Sequence, residues 1–294
     1  MQLITVTDPR PRDEYYRGLE EGNVLFFPGI PFELPHADQE VLRATGQTSG
    51  SHHKNIAYRP AEDRVSNFDS ASVHDPEKLR GVMRSYSQRV IEFLRSFVPR
   101  YMQNVRIDYA SFRPREEEGR DLPLTKRNDL LHVDSFPTRP TSGDLILRTF
   151  TNINPVKSRV WLTSDPFRRL AERYAMDAGL SSAANNSFVH QIASVARAAG
   201  LPVKNRSAYD RFMLGFHDYL KENDDYQKSC PKYRFEFPPN STWMVFTDVV
   251  PHAVLSGQHA LEQTIIVNKD NLLSRENAPI SILESICHRE LAAR

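Results

Sequence analysis

The most constraining feature is an uneven distribution of pattern: strand-like runs lie towards both ends of the chain, and helical patterns gather between them. The runs are Asn23–Phe27, Val105–Phe112, Leu145–Asn152, Arg159–Leu162, Tyr233–Phe237, Thr242–Phe246 and Gln263–Asn268. Each is short, and each is bounded by Pro, Gly, Asn or Asp. A helix is predicted over Asp75–Tyr101, where Leu79, Val82, Met83, Tyr86, Val90, Leu94 and Phe97 recur at three- and four-residue steps behind His74-Asp75-Pro76. Ser164-Asp165-Pro166 opens another, and Ser187–Ala199 and Ser207–Asn223 complete a helical block over residues 164–223. Strands and helices do not alternate regularly, which argues against a doubly wound parallel sheet. The pattern fits a mainly β, α+β chain: an antiparallel sandwich or barrel with flanking helices and a helical insertion at 164–223, all within one domain spanning 1–294.

Composition narrows the function classes. Lys plus Arg number 38 against 37 Asp plus Glu, a balance that argues against bulk phosphate neutralisation and therefore against a nucleic-acid partner. Cys230 and Cys287 match no zinc or disulfide framework, so reduced thiols in a cytoplasmic setting are expected. The opening MQLITVTDPRPRDEYY lacks the charged start and apolar run of a secretory signal. No stretch approaches the roughly 20 apolar residues of a spanning helix, so a soluble or peripheral protein is expected.

The chemistry concentrates in Leu130-Leu131-His132-Val133-Asp134-Ser135-Phe136-Pro137. In extended backbone, positions i and i+2 point to one side, so His132 and Asp134 can present an imidazole and a carboxylate to one point. His252, after the hydrophobic run Thr242–Phe246 and a turn, is the candidate third ligand of a 2-His-1-carboxylate set, which binds Fe(II) on one face and leaves the other open. Taken alone, a His-x-Asp pair occurs often by chance, and a histidine after a strand is commonly a surface residue. The other histidines offer no better pair: His52 and His53 are adjacent, His36, His74, His259 and His288 sit in polar contexts, and His190 and His217 lie on the helical block. A site of this type takes its electrons from a 2-oxo acid whose far carboxylate needs a cation. Arg148 shares a strand face with Ile146 and Phe150, so its guanidinium is aimed among apolar neighbours and calls for a carboxylate. A structural ion pair or a wet edge strand accounts for Arg148 equally well.

At these residues the chain resembles the Fe(II)/2-oxoglutarate-dependent oxygenases, and more narrowly the Kdo hydroxylases, which 3-hydroxylate the sugar 3-deoxy-D-manno-oct-2-ulosonic acid (Kdo) on lipid A. The resemblance lies in Asn23-Val24-Leu25-Phe26-Phe27-Pro28, Ser111-Phe112-Arg113-Pro114, the run from Leu131 to Pro155, and Pro251-His252-Ala253-Val254-Leu255-Ser256-Gly257. It implies a double-stranded β-helix (jelly roll) core, iron on His132, Asp134 and His252, and consumption of 2-oxoglutarate and O2. It also implies a Kdo-bearing lipid A acceptor in lipopolysaccharide inner-core biosynthesis, with the protein at the cytoplasmic face of the inner membrane. In many members of the superfamily an arginine follows the second histidine by about ten residues. Here Leu261, Glu262 and Gln263 stand there, which shifts the carboxylate anchor to Arg148, with Gln263 and Thr264 as its helpers.

An anionic sugar acceptor calls for a cationic mouth. Arg127 and Arg139 bracket the first motif most closely, with Lys126 and Arg113 next, and Arg115 and Arg120 in a self-compensating run. Arg168, Arg169 and Arg173 are candidates for contact with anionic lipid, although such faces are usually just solvated. Two other readings stay open: a 2-oxoglutarate oxygenase acting on another anionic sugar or small molecule, and a non-catalytic jelly-roll carbohydrate-binding protein. A zinc hydrolase is disfavoured because no clear general base lies nearby. Trp161 and Trp243 read as core residues.

Overall fold

A computed structural model describes residues 1–45, 55–68, 73, 75–185 and 206–292. His52, His53, His74 and His190 and the helix read at Ser187–Ala199 lie outside the described residues. Among the described residues, two sheets form the centre. The larger has eight strands in the order β1-β2-β9-β6-β11-β5-β3-β4, and the smaller has three in the order β10-β7-β8. Their ranges are β1 Leu3–Thr5, β2 Val24–Phe27, β3 Ile56–Arg59, β4 Arg64–Ser66, β5 Arg106–Arg113, β6 Leu145–Asn152, β7 Arg159–Thr163, β8 Tyr233–Phe237, β9 Thr242–Phe246, β10 His252–Ser256 and β11 Ala260–Val267. Every pairing is antiparallel except β1 with β2, so the expected antiparallel sandwich is present.

Period-2 alternation divides the large sheet between two cores. Leu145 and Leu147 of β6, Met244 and Phe246 of β9, and Leu261, Ile265 and Val267 of β11 join the outer core. There they meet helix α3, Pro76–Phe97, through Leu79, Met83, Val90, Leu94 and Phe97. Between the sheets, Val24, Phe150, Trp243 and Val245 meet Trp161, Phe237 and Val254 in a second, aromatic core, with Phe237 and Trp243 stacked at 4.0 Å. Helix α3 stops at Phe97, short of the predicted Tyr101, because Pro99 drives Val98 out of the helical region to φ −127°, ψ 56°. Its start is as the sequence indicates, with Asp75 accepting from the Lys78 amide and Pro76 in the first turn.

Helices α1 (Asp13–Glu20) and α2 (His36–Ala44) carry no clear sequence signal. Between β7 and β8 lie α4 (Phe167–Tyr174), α5 (Leu180–Asn185), α6 (Ala208–Glu222) and α7 (Asp224–Ser229). The Ser207 hydroxyl caps α6 by accepting from the Asp210 amide. Helix α8 (Pro279–Cys287) follows the last strand. Cys230 and Cys287 are both unpaired thiols.

Candidate metal and co-substrate site

His132 and His252 meet through their main chains before their side chains. The His132 amide donates to the His252 carbonyl at 3.2 Å, and the His252 amide donates to the His132 carbonyl at 2.9 Å. This single antiparallel rung adds residue 132 to the open edge of the small sheet. Residues 133–136 lie outside any strand, so the expected regular strand over His132 and Asp134 is instead one rung; the Asp134 amide is anchored separately on the Thr247 carbonyl at 2.9 Å. His252 opens β10 after the turn that follows β9, as its place behind the hydrophobic run indicates.

Nδ1 of His132 lies 2.7 Å from the Leu130 carbonyl, and Nδ1 of His252 lies 2.9 Å from the Val250 carbonyl. A carbonyl can only accept, so Nδ1 carries the proton in both rings and each Nε2 keeps its lone pair. Burial pushes both imidazoles below their usual pKa, with the neighbouring His252 adding to the effect on His132. Nε2 of His132 is 4.0 Å from Asp134 Oδ1, and Nε2 of His252 is 3.8 Å from Asp134 Oδ2. The three ligand atoms lie within 4.8 Å of one another. Burial works against the Asp134 charge, but Arg148 and the two imidazoles outweigh it and hold the carboxyl below its usual range. Its Oδ2 is buried and accepts no hydrogen bond. Two neutral imidazole nitrogens and a carboxylate oxygen with spare valence fit a divalent ion such as Fe(II).

Arg148 places one nitrogen 3.1 Å from Asp134 Oδ2 and another 3.0 Å from Glu262 Oε1. Glu262 also accepts from Arg113, across the sheet on β5. Arg159 of β7 donates to the Gly257 carbonyl at 2.8 Å and lies 3.6 Å from Glu117. Gly257 has φ +113°, and a Cβ there would sit 2.9 Å from the Arg159 Cα, so a side chain would obstruct this approach. Burial, followed by the nearby Arg113, brings the Arg159 pKa down to about 10. One cavity is lined by the triad and by Arg113, Arg148, Arg159, Asn128, Phe150, Trp161 and Val254. The Trp161 ring stacks on His252 with centroids 5.1 Å apart.

The other sequence candidates are distributed differently. Thr264 faces the same side as Glu262, to which its hydroxyl donates at 3.1 Å. Gln263 faces the opposite way, because neighbours on a strand alternate. Its amide bonds to the Ser87 hydroxyl of α3 and to the Asp108 and Thr264 carbonyls, so it is not a helper to Arg148. Of the four mouth candidates, only Arg113 lines the cavity. Arg127 is paired with Asp129, Arg139 is bound to Asp108 between the rings of Tyr109 and Phe136, and Lys126 is exposed on a short turn. Sequence reasoning missed Arg159, although its alternation with Trp161 repeats the argument made for Arg148. It also missed His217 of α6, whose ring meets that of His132 at 4.8 Å and whose Nδ1 donates to the Val133 carbonyl. Helical spacing gave no hint of that contact.

An antiparallel sandwich carrying this ligand set beside buried arginines defines a non-haem Fe(II)/2-oxoglutarate-dependent dioxygenase. The comparisons agree. A family model for 3-deoxy-D-manno-oct-2-ulosonic acid (Kdo) hydroxylase matches residues 3–290, and the chain belongs to that family. It is similar to the crystal structure of the Kdo hydroxylase KdoO in complex with α-ketoglutarate and Fe(III), with TM-score 0.84 and 33% identity over 99% of this chain and 97% of that one. The cobalt(II) complex of KdoO gives TM-score 0.85 at 33% identity over 100% and 98%. The complex with succinate and Fe(III) gives 0.84 at 32% over the same shares. No curated protein sequence matches the chain.

Proposed function

We propose that this protein hydroxylates the Kdo sugar of Kdo-bearing lipid A at its 3-position, in assembly of the lipopolysaccharide inner core. His132, Asp134 and His252 hold Fe(II), and Arg148 receives the distal carboxylate of 2-oxoglutarate. The observation that carries this reading is the convergence of three ligand atoms beside a buried guanidinium, in a chain that matches one hydroxylase family over nearly its whole length. Bound there, Fe(II) supplies the redox chemistry that couples loss of CO2 from 2-oxoglutarate to oxygen insertion into a C–H bond. The balance is one O2 and one 2-oxoglutarate consumed for one C–OH, one succinate and one CO2.

The chain's own residues position and shield. The Leu130 and Val250 carbonyls fix the two ring orientations. Trp161, Phe150 and Val254 give the cavity an apolar wall, which would keep it poor in water and limit turnover without acceptor. Thr264 steadies Glu262, and Glu262 steadies Arg148. Among the described residues no helix is long and apolar enough to cross a membrane. Arg168, Arg169 and Arg173 are exposed on α4 while Phe167, Leu170 and Tyr174 are buried, which supports peripheral contact with an anionic membrane surface.

The test is anaerobic loading with Fe(II) and 2-oxoglutarate, admission of O2, and mass spectrometry of Kdo-bearing lipid A. A gain of one oxygen per succinate is expected. No gain, with another anionic sugar stimulating succinate release instead, overturns the acceptor assignment. Arg148→Gln raises the KM for 2-oxoglutarate about 10- to 100-fold, the worth of a charge-assisted bidentate contact. An unchanged KM would move the anchor to Arg113 or Arg159.

A further inference from the structure

Among the described residues one arginine and one lysine are buried outright, Arg159 and Lys221. Arg159 faces Glu117. Lys221 is only 4% exposed, donates to the Thr125 carbonyl at 3.0 Å, and has no carboxylate of the described residues within 4.0 Å. A buried ammonium without a counter-ion is costly to keep charged, so its position calls for an anion that the protein itself does not provide.

Lys221 stands one turn after His217, so the two share a face of α6. Its His217 end lies against a metal ligand. His217 packs on the His132 ring and bonds to Val133, the residue between two ligands, while Lys221 holds Thr125 upstream. Gln227 of α7 bonds to both the amide and the carbonyl of Leu131, fixing the stretch in between. Because the Val133 carbonyl takes the Nδ1 proton, His217 Nε2 keeps a lone pair; its nearest carboxylate is Asp218, 4.0 Å away. The carboxylates acting on Lys221 through space are Asp134, Asp218 and Asp129, and Asp134 and Asp129 already have arginine partners.

The acceptor's structure identifies the missing anion. In a 3-deoxy-2-ulosonic acid the carboxylate is C1 and the unsubstituted carbon is C3, two bonds away. A residue reading that carboxylate must therefore lie close to the metal, whereas phosphates on lipid A sit on other sugars. Of the buried cations, Arg148 is assigned to 2-oxoglutarate above, Arg113 has Glu262 and Arg159 has Glu117, whereas Lys221 has no carboxylate of the described residues within 4.0 Å. We propose that His217 and Lys221 form the acceptor subsite, with Lys221 binding the C1 carboxylate and His217 Nε2 accepting a hydrogen bond from a sugar hydroxyl. This rests on the Kdo reading above.

The test uses full-length protein loaded with Fe(II) and 2-oxoglutarate. Three acceptors are compared: the Kdo-bearing lipid as its free acid, the same lipid esterified at C1, and a phosphate-free Kdo-bearing lipid. Wild type loses about 10- to 100-fold in acceptor kcat/KM on the ester, the scale of a lost charge-assisted hydrogen bond. K221M shows a matching rise in acceptor KM on the free acid and on the phosphate-free lipid, with far less change in kcat, and no longer distinguishes acid from ester. K221R recovers part of the loss. The subsite is overturned if wild type treats acid and ester alike, if K221M keeps the wild-type preference for the acid, or if its defect disappears on the phosphate-free lipid. Should wild type show no acceptor-stimulated succinate at all, the Kdo reading itself fails, a separate result.

Discussion

Replacing Glu262 by Gln removes one negative charge and almost no volume from the centre of the site. Glu262 is 3% exposed and joins Arg148, at 3.0 Å, to Arg113, with Thr264 donating to it as well. At an effective dielectric near 20, unit charges at that separation attract by about 5 kcal/mol. Desolvation offsets much of this, and removing one partner of a buried pair costs about 3–5 kcal/mol net. Gln keeps acceptor and volume, so the lower end applies, and about 3 kcal/mol lowers the melting temperature by about 6 °C in a chain of this size. Burial opposes the Glu262 charge, but Arg148 and Arg113 outweigh it and hold the carboxyl below its usual range. A folded value below the unfolded one gives stabilisation that is full above the unfolded value, near 4.3, and is lost as pH falls through the folded value. Urea unfolding of wild type and E262Q at pH 8, 6 and 4 reads this directly. The wild-type advantage is expected to hold between pH 8 and 6 and to shrink at pH 4. Equal stability at pH 8, or an advantage that widens in acid, refutes the bridging role.

Two further outcomes follow from the site. H132A removes one Nε2 ligand, so acceptor-dependent succinate release falls to background while the circular dichroism spectrum stays folded, and Fe(II) added after chelation restores wild type but not the variant. A variant that keeps turnover removes His132 from the ligand set. Asp248 accepts from the Ile146 amide with one oxygen and has no partner on the other, and burial pushes its carboxyl up to about 7. A raised folded value means stabilisation that is full below the unfolded value and lost as pH rises through about 7. The distance from 3.8 amounts to about 4 kcal/mol, so D248N, which keeps the acceptor, gains on wild type between pH 4 and 7.5. A stability difference that does not vary with pH contradicts this.

The parts legible in the sequence were those that follow a period. Leu145–Asn152, Tyr233–Phe237 and Thr242–Phe246 are strands over the ranges their patterns give, and Arg148 points inward with Phe150 because alternation leaves no other choice. Gln263 and Thr264, named from their distance after His252, fall on opposite faces of β11, and only Thr264 sits beside Glu262. Strands β3 and β4 and helices α1 and α2 are short, and their form comes from the neighbours they pack on rather than from their own composition. The salt bridges at Arg127 and Arg139 satisfy cations that proximity in sequence had assigned to the mouth. His217 and Lys221 belong to the ligand surroundings only through tertiary contact, which no local pattern encodes.

The backbone rung between residues 132 and 252 makes metal affinity a gauge of long-range assembly. A fragment ending before β10 would contain two ligands yet lack both the third and the partner that orients the first. A slip of one residue at that rung would turn the His252 imidazole to the other face of its strand while leaving the sequence motif intact. Iron retention therefore measures whether the small sheet has closed in register against the segment that borders it.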